Sequence, residues 1–346
     1  MEREILLSID NLSVSFHTYA GEVKAVRGAT WRLYERETIA IVGESGCGKT
    51  VSIQTSMGLL QKPAGRIMGG SIVYRGEDVT GYTTKEWRRI QGNEMTMIFQ
   101  DPLTYLNPTM KVGEQIAEAF LEHHPHQSKR QADERVLDFM RLVSLPNPEY
   151  NIKCYPHQLS GGMRQRVMVA MALICDPKIL FADEPTTALD VTIQAQIIEL
   201  MNALKDKLST SIVLITHDLG VVANMAERIY VMYAGKIVEH ADADTLFHSP
   251  RHPYTWGLLE SVPRLDSEQQ TTLRSIPGTP PDLLSPPAGC PFAPRCRYAM
   301  KICADGMPAN LDFGEPEHYA ACWLYDPRAA EQLAAAERDR VGAVNE

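Results

Sequence analysis

The octapeptide GESGCGKT, Gly43 to Thr50, fits the phosphate-binding pattern G-x-x-x-x-G-K-[ST] at every position. In such a loop, backbone N–H groups and the positive end of the following helix can aim at phosphate oxygens. Gly43, Gly46 and Gly48 let the backbone approach closely, and Glu44, Ser45 and Cys47 occupy the free positions. Lys49 would reach the β and γ phosphates, and the Thr50 hydroxyl would ligate Mg²⁺. A second acidic feature, Asp183 and Glu184, closes the apolar run KILFADE. Carboxylates at the carboxyl end of a parallel strand lie where open α/β sheets bind ligands, so Asp183 is suited to the Mg²⁺ shell and Glu184 to an attacking water. The two features together predict nucleoside triphosphate hydrolysis.

A third chemistry-bearing group is Cys290, Cys296, Cys303 and Cys322, four of seven cysteines within 33 residues. Their spacings contain neither the close C-x2-4-C pair usual for zinc nor the tight ferredoxin run. A metal site, buried thiols and disulfides all stay open on spacing alone. His318, just before Cys322, would allow a Cys3His zinc site. Cys47 holds a free position of the phosphate loop and is read as filler, not as a redox centre.

These residues need a scaffold, and the chain alternates in the way that supplies one. LSIDNLSVSF and VKAVRGATWRLY nearly alternate apolar and polar residues, which predicts a small antiparallel sheet. ETIAIVGESGCGKT reads as strand, loop and helix. Residues from about 103 to 165 carry proline-rich turns and helical stretches such as VGEQIAEAFLEHH and QADERVLDFMRLVSL, a helical insert. Then KILFADE and TSIVLITHD read as buried strands, separated by a helix with Ile193, Ile197, Met201, Leu204 and Leu208 on one face. That alternation implies an α/β fold with a parallel sheet covered on both sides. RIYVMYAGKIVEH predicts a hairpin turning at Ala234 and Gly235. Beyond residue 250, SIPGTPPDLLSPPAGC has the composition of a linker, so the cysteines are expected on a small module of their own.

Composition narrows the classes. The 346 residues carry 43 acidic against 34 basic side chains, a formal net charge of −9. With no Lys/Arg block, wholesale neutralisation of nucleic-acid phosphates and a polybasic membrane patch are both disfavoured. The longest unbroken apolar run, VMVAMALIC, has nine residues and is too short to span a bilayer. MEREILLSID lacks the apolar core of a signal peptide, so a cytoplasmic chain with reduced cysteines is expected.

Between the two halves of the phosphate chemistry stands LSGGMRQR, Leu159 to Arg166. A phosphate loop, a glutamine in IFQDP, LSGG, ILFADE, ALD and LITHD, in that order, resembles the ATP-binding cassette of ABC transporters over about residues 1–250. The resemblance implies a P-loop NTPase cassette: parallel core, N-terminal antiparallel β subdomain and helical insert. It implies that Gln100 senses γ-phosphate and metal, joining Thr50 and Asp183 around Mg²⁺, and that His217 contacts the γ-phosphate. Ser160, Gly161 and Gly162 would cap ATP bound to a partner cassette, with Asp190 at the dimer seam. Phe16 is the expected adenine-stacking aromatic, with Tyr19 as the alternative.

The tail narrows the family further. SPRHPYTWGLLESVP, followed by IPGTPPDLLSPPAGCPFAPRC, resembles the C-terminal extension of the ATPases of oligopeptide, dipeptide and nickel importers, to about residue 326. Residues 251–326 would form that extension and 327–346 a tail. Membership implies two membrane permease subunits, a second related ATPase forming a heterodimer, an extracytoplasmic substrate-binding protein and a peripheral place on the cytoplasmic face of the membrane. It also implies a [4Fe-4S] cluster on the four cysteines, with Zn²⁺ as the alternative. The cargo is chosen by the other subunits. Nucleic-acid or ribosome-associated ATPases that join cassettes to metal modules carry two cassettes per chain, and this sequence has one P-loop and one LSGG. A pure ATP switch is a third reading, against which Glu184 and His217 argue for turnover.

Overall fold

Four short runs form the parallel centre: Thr38–Val42 (β3), Ile179–Asp183 (β7), Ser211–Thr216 (β8) and Arg228–Tyr233 (β9), with every residue buried. Such unbroken burial is what strands covered on both faces require. The structure is a computed structural model describing residues 3–187, 189–261, 276–314 and 317–345. Met95–Ile98 (β6) extends the parallel set at one edge, and Lys236–Asp242 (β10), Leu311–Asp312 (β11) and Tyr319–Ala320 (β12) extend it antiparallel at the other. The sheet runs β11-β12-β10-β9-β3-β8-β7-β6. The β9–β10 connection turns at Ala234 and Gly235, whose φ angles of 46° and 81° suit a two-residue hairpin.

A second, antiparallel sheet holds Ile5–Thr18 (β1) between Gly21–Tyr34 (β2) and Gly65–Tyr74 (β4), with Glu77–Asp78 (β5) outermost. Alternation in β1 slips by one residue between Ile9 and Leu12, and the pairing register shifts at the same place. Asn11, at φ 49°, absorbs the extra residue, so Ile9 and Leu12 both stay fully buried.

The insert contributes helices Val112–His123 and Lys129–Leu142 and leads into Gly161–Leu173. A capping box at Ser128 and Gln131 starts the second. Ile116, Phe120, Val136 and Phe139 belong to the same buried cluster as Leu180 of β7 and Leu214 of β8, so the insert shares the core of the parallel sheet. In the helix Val191–Leu208, Ile197, Met201 and Leu204 are buried, whereas Ile193 and Leu208 near its ends are half-buried.

The C-terminal extension packs onto the sheet. β12 pairs with β10, and Cys290, Phe292 and Cys303 join the main apolar cluster. Of the proline-rich linker and the segment before it, residues 262–275 lie outside the described residues. The tail forms a helix, Ala330–Asn345.

Two buried ionic groups join these parts. Glu239 of β10 accepts hydrogen bonds from the N–H groups of Arg251 (2.6 Å) and His252 (2.9 Å) and from the Thr255 hydroxyl (2.5 Å), and its other neighbour is His318 Nε2 at 3.0 Å. Arg228 of β9 meets Glu37 through Nε at 2.6 Å and Nη2 at 3.0 Å, and also reaches Glu317. The Glu37 side chain is only 2% exposed, so removing Arg228 alone strands a charge away from water. Arg228→Met is expected to cost about 3–5 kcal/mol in urea unfolding, and Glu37→Met with Arg228→Met to recover most of it. Equal losses in single and double variants would refute that account.

Candidate active site

The phosphate loop is the turn from β3 into the helix Lys49–Ser56. Its shape is set by close backbone approach. At Gly43, with φ 152°, a Cβ would lie 2.2 Å from the Met232 carbonyl oxygen, and at Gly48, with φ 104°, 2.4 Å from that of Ala25. No other residue fits there without displacing β9 or β2. Lys49 is buried, and its ammonium donates to the carbonyls of Gly43 (2.7 Å) and Glu44 (2.9 Å). Thr50 Oγ1 donates to Asp183 Oδ1 at 3.2 Å, which joins the loop's helix to the end of β7.

A cleft of about 790 Å³ opens over the loop. Of the residues expected to act, Phe16, Glu44, Ser45, Gly46, Gly48, Lys49, Thr50, Gln100, Asp183, Glu184 and His217 all line it. Gly43 and Cys47 belong to the loop but not to the lining. Cys47 is buried, and burial raises its pKa, which suits filler. Phe16 is half-buried in the lining, whereas Tyr19 is fully exposed in the turn after β1. Ser160, Gly161, Gly162 and Asp190 are brought to helix starts elsewhere and do not line this cleft. Ser160 caps Gly161–Leu173 by accepting from Met163 N–H at 3.3 Å, and Asp190 caps Val191–Leu208 by accepting from Ile193 N–H at 3.0 Å.

Glu184 is the focus of the polar groups. Gln100 Nε2 donates to Oε2 at 3.1 Å, the Thr187 hydroxyl donates to the same oxygen at 2.9 Å, and His217 Nδ1 lies 3.1 Å from Oε1. Its backbone sits at φ 46°, a strained conformation for a non-glycine residue, with its N–H bonded to Ile215 O at 2.8 Å. Burial acts to raise its pKa, but the Thr187 and His217 contacts outweigh it and hold the carboxyl below its ordinary range. Asp183 goes the other way: burial raises its pKa, only partly offset by Thr50 and Lys49. A buried carboxylate penalised in this way, bonded to the Thr50 hydroxyl in a cleft that Gln100 also lines, offers hard oxygen donors suited to Mg²⁺. Thr50, Asp183 and Gln100 are the residues that would hold it.

Three contacts at this site were not anticipated from the sequence. Thr187 orients Glu184. The Tyr254 hydroxyl accepts from Glu44 N–H at 2.8 Å, and Arg295 grips the Glu44 carboxylate with Nη1 at 2.5 Å and Nη2 at 2.9 Å. Spacing from the acidic pair could have flagged Thr187, but the other two come from 210 and 251 residues away.

The expected metal centre in the extension is overturned. Among the described residues, no group of three or more His, Cys, Asp or Glu side chains is arranged to hold a metal ion. Neither a [4Fe-4S] cluster on Cys290, Cys296, Cys303 and Cys322 nor a zinc site is supported. Cys290 and Cys303 pack in the main apolar core, Cys296 packs against it, and Cys322 sits in a smaller cluster with Trp256 and Leu324. Burial raises the pKa of Cys290 and Cys322 and pushes that of Cys296 up to about 12. His318, the candidate fourth ligand, is fully buried against Glu239.

Comparison with known proteins matches this geometry to sequence relatives. Residues 26–187 match the family described as ABC transporter, and residues 238–303 the one described as oligopeptide/dipeptide transporter, C-terminal region. The chain is 52% identical over 329 residues to the dipeptide transport ATP-binding protein DppD of Lactococcus lactis subsp. cremoris (strain MG1363), covering 95% of this chain and 93% of that protein. It is 53% identical over 324 residues to the oligopeptide transport ATP-binding protein OppD of Bacillus subtilis (strain 168), covering 94% and 90%. In fold it is similar to the dimeric cassette MJ0796 in a post-hydrolysis state bound to ADP and Pi. There the TM-score is 0.61 at 23% identity, covering 68% of this chain and 98% of that one. No helix among the described residues is long and apolar enough to cross a membrane.

Because Thr187 helps hold Glu184 ionised, Thr187→Val should raise that pKa. The acid limb of the ATP-hydrolysis pH profile is expected to move to higher pH. An unmoved acid limb with reduced turnover would remove Thr187 from this role.

Proposed function

The chain belongs to the ABC transporter family of ATP-binding, ATP-hydrolysing subunits, and on that premise we propose that it drives uptake of di- or oligopeptides through a membrane importer by closing and reopening a pair of cassettes. The observation that carries the reading is the division of the phosphate chemistry within one chain. The cleft holds the loop and Glu184, while the LSGG start of Gly161–Leu173 lies outside its lining, with Ser160 and Gly161 exposed. A second cassette would supply the missing side of each site, so bound γ-phosphate favours closure and its loss favours opening. A related partner ATPase is the expected second half, with Asp190 at the seam.

Within a closed site, Lys49 and the loop N–H groups bind and orient the triphosphate, and Phe16 stacks on adenine. Bound Mg²⁺ would neutralise charge on the phosphates. Glu184, kept ionised by Thr187 and His217, accepts hydrogen bonding from the attacking water, while His217 and Gln100 fix its direction toward the γ-phosphate. Peptide as cargo rests on the likeness to dipeptide and oligopeptide transport subunits over nine-tenths of the chain. The same likeness disfavours a nucleic-acid or ribosome-associated role. A coupling helix from one of two permease subunits would dock on the groove of about 610 Å³ beside Gln100, where Phe99 stacks on Tyr105 at 4.0 Å and the Val112–His123 helix forms a wall. A substrate-binding protein would deliver cargo on the far side, leaving this subunit peripheral on the cytoplasmic face.

Glu184→Gln is expected to lower ATP turnover by about a hundredfold or more while trapping an ATP-dependent cassette dimer. Light scattering with and without ATP reads the dimer, and undiminished turnover would sink the role of Glu184. In proteoliposomes containing co-purified permeases and binding protein, labelled dipeptide or oligopeptide should accumulate only with ATP. ATP-independent accumulation would overturn coupling, and no peptide accumulation alongside ATP-driven uptake of another solute would overturn the cargo.

A further inference from the structure

One wall of the cleft comes from a part of the chain outside the cassette motifs. Leu283, in the irregular stretch of the extension, lines the same cleft as the phosphate loop, together with Phe16, Val23 and Ala25. It is half-buried and packed against the main apolar cluster. Its backbone is fastened: the Leu283 carbonyl accepts from Lys24 N–H on β2 at 2.9 Å. Arg27 of β2 donates from Nη2 to Pro287 O at 3.0 Å, which holds the chain just downstream. Upstream, Arg295 donates to Pro277 O at 2.8 Å with the same guanidinium that grips Glu44 of the phosphate loop.

The chemistry of the lining divides in two. Charged and backbone groups gather around Lys49, Thr50, Asp183 and Glu184, and the apolar contribution comes from Phe16, Val23, Ala25 and Leu283. A triphosphate nucleoside needs the first set for its phosphates and an apolar surface for its base, since base planes gain most by leaving water against aliphatic and aromatic groups. β2 places Val23 and Ala25 in that surface, and the Lys24 bond between them seats Leu283 beside both.

We propose that Leu283 of the C-terminal extension is a nucleobase-binding residue of the ATP site, closing its apolar side as an addition to Phe16. The assignment rests on the reading of the cleft as the ATP site with its base at the apolar side. It makes the extension a part of the nucleotide pocket rather than a neighbour of it.

The test compares ligands with and without a base. Calorimetric titration of the full chain with ATP and with inorganic tripolyphosphate, each with Mg²⁺, separates the two ends of the cleft. Leu283→Ala is expected to weaken ATP about five- to tenfold and to leave tripolyphosphate within about twofold. Leu283→Met, which keeps apolar volume, should bind ATP within about twofold of the parent. Unchanged ATP affinity in Leu283→Ala, or equal weakening of both ligands, would overturn the proposal. Lys49→Ala serves as the control on the premise: it should weaken both ligands strongly, and if it leaves ATP binding intact the cleft itself is misassigned.

Discussion

The phosphate loop exists in its shape because two strands crowd it from opposite sheets. The carbonyl of Met232 on β9 stands over Gly43, and that of Ala25 on β2 over Gly48, each closer than a side-chain carbon would tolerate. The adjoining hairpin turn completes the seating, since Gly235 donates to Cys47 O at 2.9 Å and accepts from Arg27 N–H at 2.7 Å. The parallel sheet and the antiparallel sheet therefore meet at the loop. Anything that shifted one sheet against the other would change the direction in which the loop's N–H groups point.

Around that fixed point the protein separates two adjacent carboxylates. Asp183, buried at the end of β7, is made costly to ionise, and Glu184, one residue on, is kept charged by a hydroxyl and an imidazole. Neighbouring carboxylates pushed in opposite directions are suited to different tasks, as the proposed roles of Asp183 toward a cation and Glu184 toward a water require.

Much of this was legible from local pattern. The glycine spacing announced the loop, unbroken apolar runs announced the buried strands, and Ala234-Gly235 announced a hairpin, because each depends on neighbours a few residues away. The near-alternation of the first strand hid a slip at Asp10-Asn11 that pairing with β2 and β4 reveals as a bulge. What escaped was what the fold brings together from afar: Arg295 on Glu44, Tyr254 under the loop, His318 against Glu239. The cysteines misled differently. Four thiols close in sequence invite a shared ligand, and they also lie near one another in the fold, yet among the described residues they form no metal-holding group, and Cys290 and Cys303 serve as small apolar residues in the main core. A linker-like composition likewise gave no hint that the described stretch after residue 276 lies strapped along β2.

The grip of Arg295 on Glu44 spans 251 positions of chain, and a ribosome delivers those positions in order. The cassette's motifs have all emerged well before Arg295 does, so during synthesis the loop carries an unanswered carboxylate until the extension arrives. A chain stopped short of Arg295 would contain every motif of the cassette and still lack this contact. The extension thus adds its grip on Glu44 to a loop that β2, β9 and the hairpin have already seated.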